Sequence, residues 1–371
     1  MASRLIQRLE QQIAQCDDPL TLECLKAERI GVLARHGLLD EARAALQGVR
    51  QQNQRLRRVR LAAWIALVEG LIDHFESLAP SAALHFEQAY KHALRARDVE
   101  VQALAMAWLS ISSLNASALE TFASQIAQAV HLARPEHHAV WARIGLVLGD
   151  TYRFAGDETS ALRWYARARQ AAAMEGDSSM MSAFLHNQSA MRSASIGLDD
   201  ATGQCDVDAA QRALLEAESS ANYDGSAGSA ALQAMLPVIR AQLLVVLGRF
   251  EEALALYDAH LSHASAEGMA HREARFMADR AWCLFQLAQP EAAWRDAERA
   301  HSALSALYDA DDRAAVHGRL ARVSAGLGLT AQAQYHHQLA QAALSEHRAE
   351  QARWRQALDG ALAESLPNAP T

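Results

Sequence analysis

The sequence predicts an all-α chain built from about eight antiparallel helical hairpins in series, and three observations predict it. First, apolar residues make up 51% of the 371 positions while aromatics are only 6% and prolines number seven, so alanine and leucine dominate, as in a helix former. Second, one phrase recurs: a glycine, an alanine five residues on, an apolar residue four beyond it and a small residue three further still. Third, the alanine or its substitute falls at 42, 82, 122, 161, 210, 253, 293 and 333, a repeat of about forty residues. Forty residues accommodate two helices of about sixteen residues and two short turns.

Each repeat is read from its own residues. The glycine marks the turn inside the hairpin, because a helix end in the left-handed region is best supplied by glycine. The alanine lets the two helices approach, and the next two positions continue one buried face. Gly37, Ala42 and Leu46 carry the phrase in a capping first repeat (1–53, split as 2–18 and 19–53). The repeats proper are expected over 54–343. The second keeps Ala82, Phe86 and Ala89 without the glycine, and the third is a degenerate Phe122, Ile126 and Ala129. Gly156, Ala161 and Tyr165 form the fourth; Ala210, Leu214 and Ala217 the fifth; Gly248, Ala253 and Tyr257 the sixth. In the seventh, Ala288 stands in the glycine place before Ala293 and Ala297, and Gly328, Ala333 and His337 form the eighth. Residues 344–364 read as a polar-faced closing helix, and 365–371 as a flexible tail. The turn-formers of SIGLDDATGQCDVD from Ser195 and SSANYDGSAGS from Ser219 predict loops in the middle of the chain.

The fourth repeat is the fullest. Leu148, Gly149, Tyr152, Gly156, Ala161, Tyr165 and Ala168 in LGDTYRFAGDETSALRWYARA, with VLGRFEEALALYDAHL from Val246, resemble the tetratricopeptide repeat over roughly residues 20–343. The period is nearer forty than thirty-four, as in longer-helix variants found in bacterial signalling regulators, and the proline that closes each repeat is mostly missing. HEAT and armadillo repeats also span 40–47 residues and are the competing assignment, against which the glycine-to-alanine phrase argues. The resemblance implies a right-handed superhelix in which the first helix of each hairpin lines the concave side. Indexing each repeat from its first-helix small residue, it directs inward Arg143, Leu146, Asp150 and Arg153 with Phe154 beside them, then Asn187 and Met191, Gln242, Arg275, Trp282 and Phe285, Arg322, and His74. Arginines for carboxylates and rings for apolar anchors suit an extended partner peptide or protein segment of acidic character. These positions are expected to be hydrated.

Charge and chemistry narrow the function. With 43 acidic and 35 basic residues the net charge is −8, which argues against a general nucleic-acid or anionic-membrane binder, and no apolar run reaches the roughly 18–20 residues of a membrane span. Lys26 and Lys91 are the only lysines, so the positive charge is arginine, suited to bidentate capture of carboxylates. Cys16, Cys24, Cys205 and Cys283 form no C-x-x-C pair and read as reduced thiols, which with the absence of a secretory signal predicts a cytoplasmic location. The basic run Arg50, Arg55, Arg57, Arg58 and Arg60 spans a helix junction and reads as a solvated face or, alternatively, an anion-binding patch.

No phosphate loop, dinucleotide fingerprint, nucleophile elbow or H-E-x-x-H is present, so no enzyme and no cofactor is expected. Among sixteen histidines, His260 with His263 and the pair His336 and His337 are the nearest to a metal pattern. A third ligand at supporting spacing is missing, so no metal is expected. The sequence therefore predicts a non-catalytic interaction scaffold or regulatory module holding a partner protein or peptide in its groove. The alternative is a sensor of a signalling peptide or small molecule that controls a separate effector.

Overall fold

The computed structural model describes residues 3–227, 235–305 and 308–365, so most of the predicted tail lies outside the described residues. Among them there is no strand. The helices are α1 (Arg4–Gln15), α2 (Pro19–Arg35), α3 (Leu39–Leu56), α4 (Val59–Ser77), α5 (Ser81–Ala96), α6 (Val99–Asn115), α7 (Leu119–Leu132), α8 (His138–Phe154) and α9 (Glu158–Glu175). They continue as α10 (Ser178–Ala201), α11 (Val207–Ala227), α12 (Met235–Val246), α13 (Phe250–Ala266), α14 (Glu273–Gln286), α15 (Pro290–Ala303), α16 (Ala310–Gly326) and α17 (Thr330–Ser365), with a 3-10 turn at Met269–Arg272. After α1 they pair in order, α2 with α3 through α16 with α17, which makes eight hairpins among the described residues. The basic run lies across the α3–α4 junction, where Arg50 pairs with Glu69 and Arg60 with Asp98 at 2.7 Å.

The hairpin turns repeat one hydrogen-bond pattern. Gly37, Gly156, Gly248 and Gly328 take positive φ, and so do Ala288 in the predicted glycine place and Ser117, which the sequence did not mark. At Gly156 the amide donates to Arg153 O (3.0 Å) and the next amide, Asp157, to Tyr152 O (2.9 Å); the same two bonds close the turns at 37, 117, 248, 288 and 328. This is the helix end that satisfies otherwise orphaned carbonyls. Asp157 then starts α9 by accepting from the amide of Ser160.

The phrase also fixes the packing. Ala42, Ala82, Phe122, Ala161, Ala210, Ala253 and Ala293 are buried, as are Leu46, Phe86, Ile126, Tyr165, Leu214, Tyr257 and Ala297 four residues on. A first-helix glycine makes room for the second-helix ring: a Cβ at Gly149 would lie 2.4 Å from Tyr165. The eighth repeat departs from its prediction, since Ala333 is half-buried and His337 exposed. The buried stripe there runs through His336, Ala340 and Ala343 instead.

Three further expectations are corrected. The segment from Ser195 is helical as far as Ala201, and the predicted loop is confined to 202–206, where Gly203 takes positive φ; Gly197 is instead a point of close approach inside the helix, where a Cβ would lie 3.3 Å from the Arg275 guanidinium. The segment from Ser219 is helical to Ala227, and Ser219 and Ser220 turn their hydroxyls back to the carbonyls of Leu215 and Glu216; its last two residues lie outside the described residues. Residues 344–364 form no separate closing helix but continue α17, whose Trp354, Leu358 and Leu362 are buried. The contacts divide the chain into two compact units, one drawn from residues 1–184, 223–231 and 352–371 and the other from 185–222 and 232–351.

Candidate functional site

The first unit contains a pocket built from the first helices of four successive hairpins. Glu28, Gly31, Val32 and Arg35 of α2 and Trp64, Leu67, Val68 and Leu71 of α4 present the same i, i+3, i+4, i+7 stripe to it, and Glu100, Leu104 and Trp108 of α6 and Ala139 and Arg143 of α8 complete the wall. Leu5, Glu175 and Met180 line one margin. There the α1 start is tied down, with the amide of Leu5 donating to Gly176 O at 3.2 Å and Arg8 paired to Glu175. The pocket is open, and its empty space, counted together with the solvent at its mouth, is about 590 Å³. A concave, mostly apolar wall with a few charged groups suits a few residues of a peptide or a small ligand.

The wall carries uncompensated charge of both signs. Burial, reinforced by Glu100 and Glu175, pushes the Glu28 carboxyl up to about 7, and burial likewise raises Glu100. Opposite in sign, Arg143 is 4% exposed, and its guanidinium lies 3.6 Å from the Trp108 ring centroid. Burial lowers Arg143 to about 9, with Arg35 adding to the effect, so it is still a cation at neutral pH. Among the described residues its Nε has no hydrogen-bond partner, nor does Trp64 Nε1. Arg35, by contrast, is paired with Asp177 at 2.6 Å. Burial disfavours the Asp177 carboxylate, yet Arg35 and bonds from Ser179 and the Met180 amide outweigh it and hold the group below its usual range. His74 packs edge-on against Trp108, and burial with the Arg143 charge drives it down to about 3, so it is neutral.

Of the inward residues predicted from the sequence, Arg143 lines this pocket. The hydrated inner wall is not what the structure has: Arg143, Gln242 and Arg275 are buried, along with Leu146, because neighbouring first helices pack against one another. Asp150 accepts from the Tyr165 hydroxyl at 2.7 Å, Arg153 pairs with Glu158 at 2.6 Å, and Phe154 stands edge-on to Trp354. In the second unit, Arg275 is ion-paired with Asp312 at 2.6 Å and donates to Ala194 O, while Gln242 accepts from Ser193 at 3.2 Å. Arg322 donates to Asp200 O and covers Trp282, which stacks on Phe285. Asn187 and Met191 are half-buried on α10. The second unit also holds a buried ladder the sequence did not expose, in which Arg319, 1% exposed, bridges Asp279 and Asp200 at 2.7 and 2.5 Å.

Glu28, Trp64, Glu100 and Trp108 were missed as wall residues. The signal was available in part: the place six before the small residue, which gives Arg143 from Gly149, gives Trp64 from Gly70 when applied to the second repeat. The stripe also recurs as Val32, Val68, Leu104 and Arg143, in steps of 36, 36 and 39 residues. The first helices themselves start at 19, 59, 99 and 138, so steps of 36 mean that the pocket meets α4 and then α6 about one turn nearer the helix start each time.

No protein-family model matches the chain, and no curated protein matches it. Among solved structures, the crystal structure of a Rap protein complexed with competence and sporulation factor is similar over 93% of this chain and 92% of that one, with a TM-score of 0.54 at 13% identity. Together with the eight hairpins this makes the fold an α-solenoid of tetratricopeptide-like repeats. Among the described residues no helix is long and apolar enough to cross a membrane.

Proposed function

We propose that the chain is a non-catalytic regulatory module of the tetratricopeptide repeat family, acting in the cytoplasm, that binds a peptide or a segment of a partner protein in the pocket of α2, α4, α6 and α8. The observation that carries this reading is Arg143: a buried cation with, among the described residues, no carboxylate in ion-pair distance and no partner for its Nε, lying over an aromatic platform. Buried polar groups in proteins are mostly satisfied; among the described residues Arg153, Arg240 and Arg280 also leave Nε unpartnered, and what distinguishes Arg143 is that it lines the pocket, where a ligand group can meet it. The ligand would give a carboxylate to Arg143 and a carbonyl to Trp64 Nε1, a cation to Glu28 and Glu100, and an apolar body to Trp108, Leu71 and Leu104. The similar Rap protein, crystallised with competence and sporulation factor, supports a binding role for the fold.

The test is selection of a phage-displayed random peptide library on the immobilised chain, followed by titration of the enriched peptides. Peptides with an acidic group and an apolar residue should emerge, and Arg143→Met should weaken them by about tenfold or more, as loss of a charge-assisted contact does. Glu28→Gln provides a variant with less effect on packing. Peptides that bind both variants as tightly as the parent would move the site elsewhere. The apolar wall with its few charged groups also fits a second reading, a small-molecule sensor, for which native mass spectrometry of the purified chain would show a retained ligand that Arg143→Met loses.

A further inference from the structure

Three histidines from three successive helices converge in the second unit, far from one another in sequence. His301 lies near the end of α15, His317 in the middle of α16 and His336 in the first turns of α17. One ring nitrogen from each lies within 4.8 Å of the others. The His317 and His336 rings are stacked with centroids 5.2 Å apart and their Nδ1 atoms 3.1 Å apart; His301 meets His336 edge-on, also at 5.2 Å. His317 and His336 are each 9% exposed, whereas His301 is exposed. The sequence concealed this, because helical spacing pairs His336 with its exposed neighbour His337 and cannot relate it to residues 19 and 35 positions earlier.

We infer that His301, His317 and His336 form a binding site for a divalent transition-metal ion, with zinc the best match. A tetrahedral ion with nitrogen ligands at about 2.0–2.1 Å holds those nitrogens about 3.3 Å apart. The His317 and His336 nitrogens already stand at that separation, and His301 closes the remainder by side-chain rotation at the surface. No carboxylate belongs to the cluster, and imidazole is the ligand of zinc, copper and nickel rather than of magnesium or calcium. Three protein ligands leave the fourth position to water. Two ligands are buried and the third is exposed, so the ion has both a fixed seat and an entry path. Bound there, it ties α15 of the seventh hairpin to both helices of the eighth. This inference is independent of the pocket of the first unit.

The experiment is calorimetric titration of chelator-treated full-length chain with zinc chloride, with cobalt absorption as a second readout. One ion per chain and the visible bands of tetrahedral cobalt are expected. Replacing His317 or His336 by glutamine should weaken zinc by about 100-fold or more, and His301→Gln by about tenfold or more, since each removes one of few ligands. His301 is at the surface, so its variant folds even where the buried substitutions do not. His263→Gln on α13, one of the i,i+3 histidines that the sequence singled out, should leave binding unchanged. Absence of stoichiometric binding, or binding that survives His301→Gln undiminished, overturns the assignment.

Discussion

The Tyr165 ring occupies the space a side chain at Gly149 would need, and this one contact shows how a small residue sets the distance between two helices. Gly149→Ala should therefore destabilise the chain by about 1–3 kcal/mol, because ring and backbone must separate. Gly48→Ala in α3, where a Cβ meets nothing within 4 Å, should be neutral or stabilise by about 0.5–1 kcal/mol through helix propensity. Urea unfolding of the two variants measures the contrast. Glu28 makes a second residue-scale prediction. Its carboxyl stands at about 7 in the folded chain against 4.5 unfolded, so between those values the folded state keeps a proton that the unfolded state has lost. The contribution is whole below about pH 4.5 and disappears as pH rises through 7, amounting to at most about 3 kcal/mol and less for a half-buried group. Urea midpoints should accordingly fall less between pH 5 and pH 8 in Glu28→Gln than in the parent.

At the scale of the element, second helices and first helices differ in what the sequence says about them. Second helices carry the phrase, and its buried positions could be read directly: Ala161 and Tyr165 recur as Ala253 and Tyr257 because every hairpin crossing solves the same packing problem. First helices carry a small residue at the crossing, as Gly70 does against Phe86 and Gly149 against Tyr165, but it fixes only their register and not the surroundings of their inward positions. Their inward positions face the next repeat, and whether Arg275 points into water or into Asp312 depends on a partner 37 residues away. Arg275→Ala should cost about 3–5 kcal/mol, toward the lower figure because Arg272 stays 3.3 Å from the stranded Asp312. A melting temperature equal to that of the parent would return Arg275 to the hydrated wall. The turns were legible where glycine marked them, and Ser117 escaped notice because its left-handed conformation is imposed by the same pair of hydrogen bonds without the residue that favours it.

At the scale of the whole molecule, a forty-residue period, an alanine-rich composition and an acidic balance were enough to give eight hairpins and to argue against nucleic acid as a partner. They could not give the pocket, since its wall takes one stripe from each of four first helices and the orphaned atoms at Arg143 and Trp64 exist only once those helices are packed. Stability in such a fold is the sum of hairpins and their neighbour interfaces, so a ligand protects mainly the repeats it touches. Amide hydrogen exchange with and without a selected peptide locates the binding face. Binding in the pocket predicts slowed exchange concentrated in α2, α4, α6 and the first half of α8. Protection confined to α12, α14 and α16, with those four helices unchanged, would contradict it.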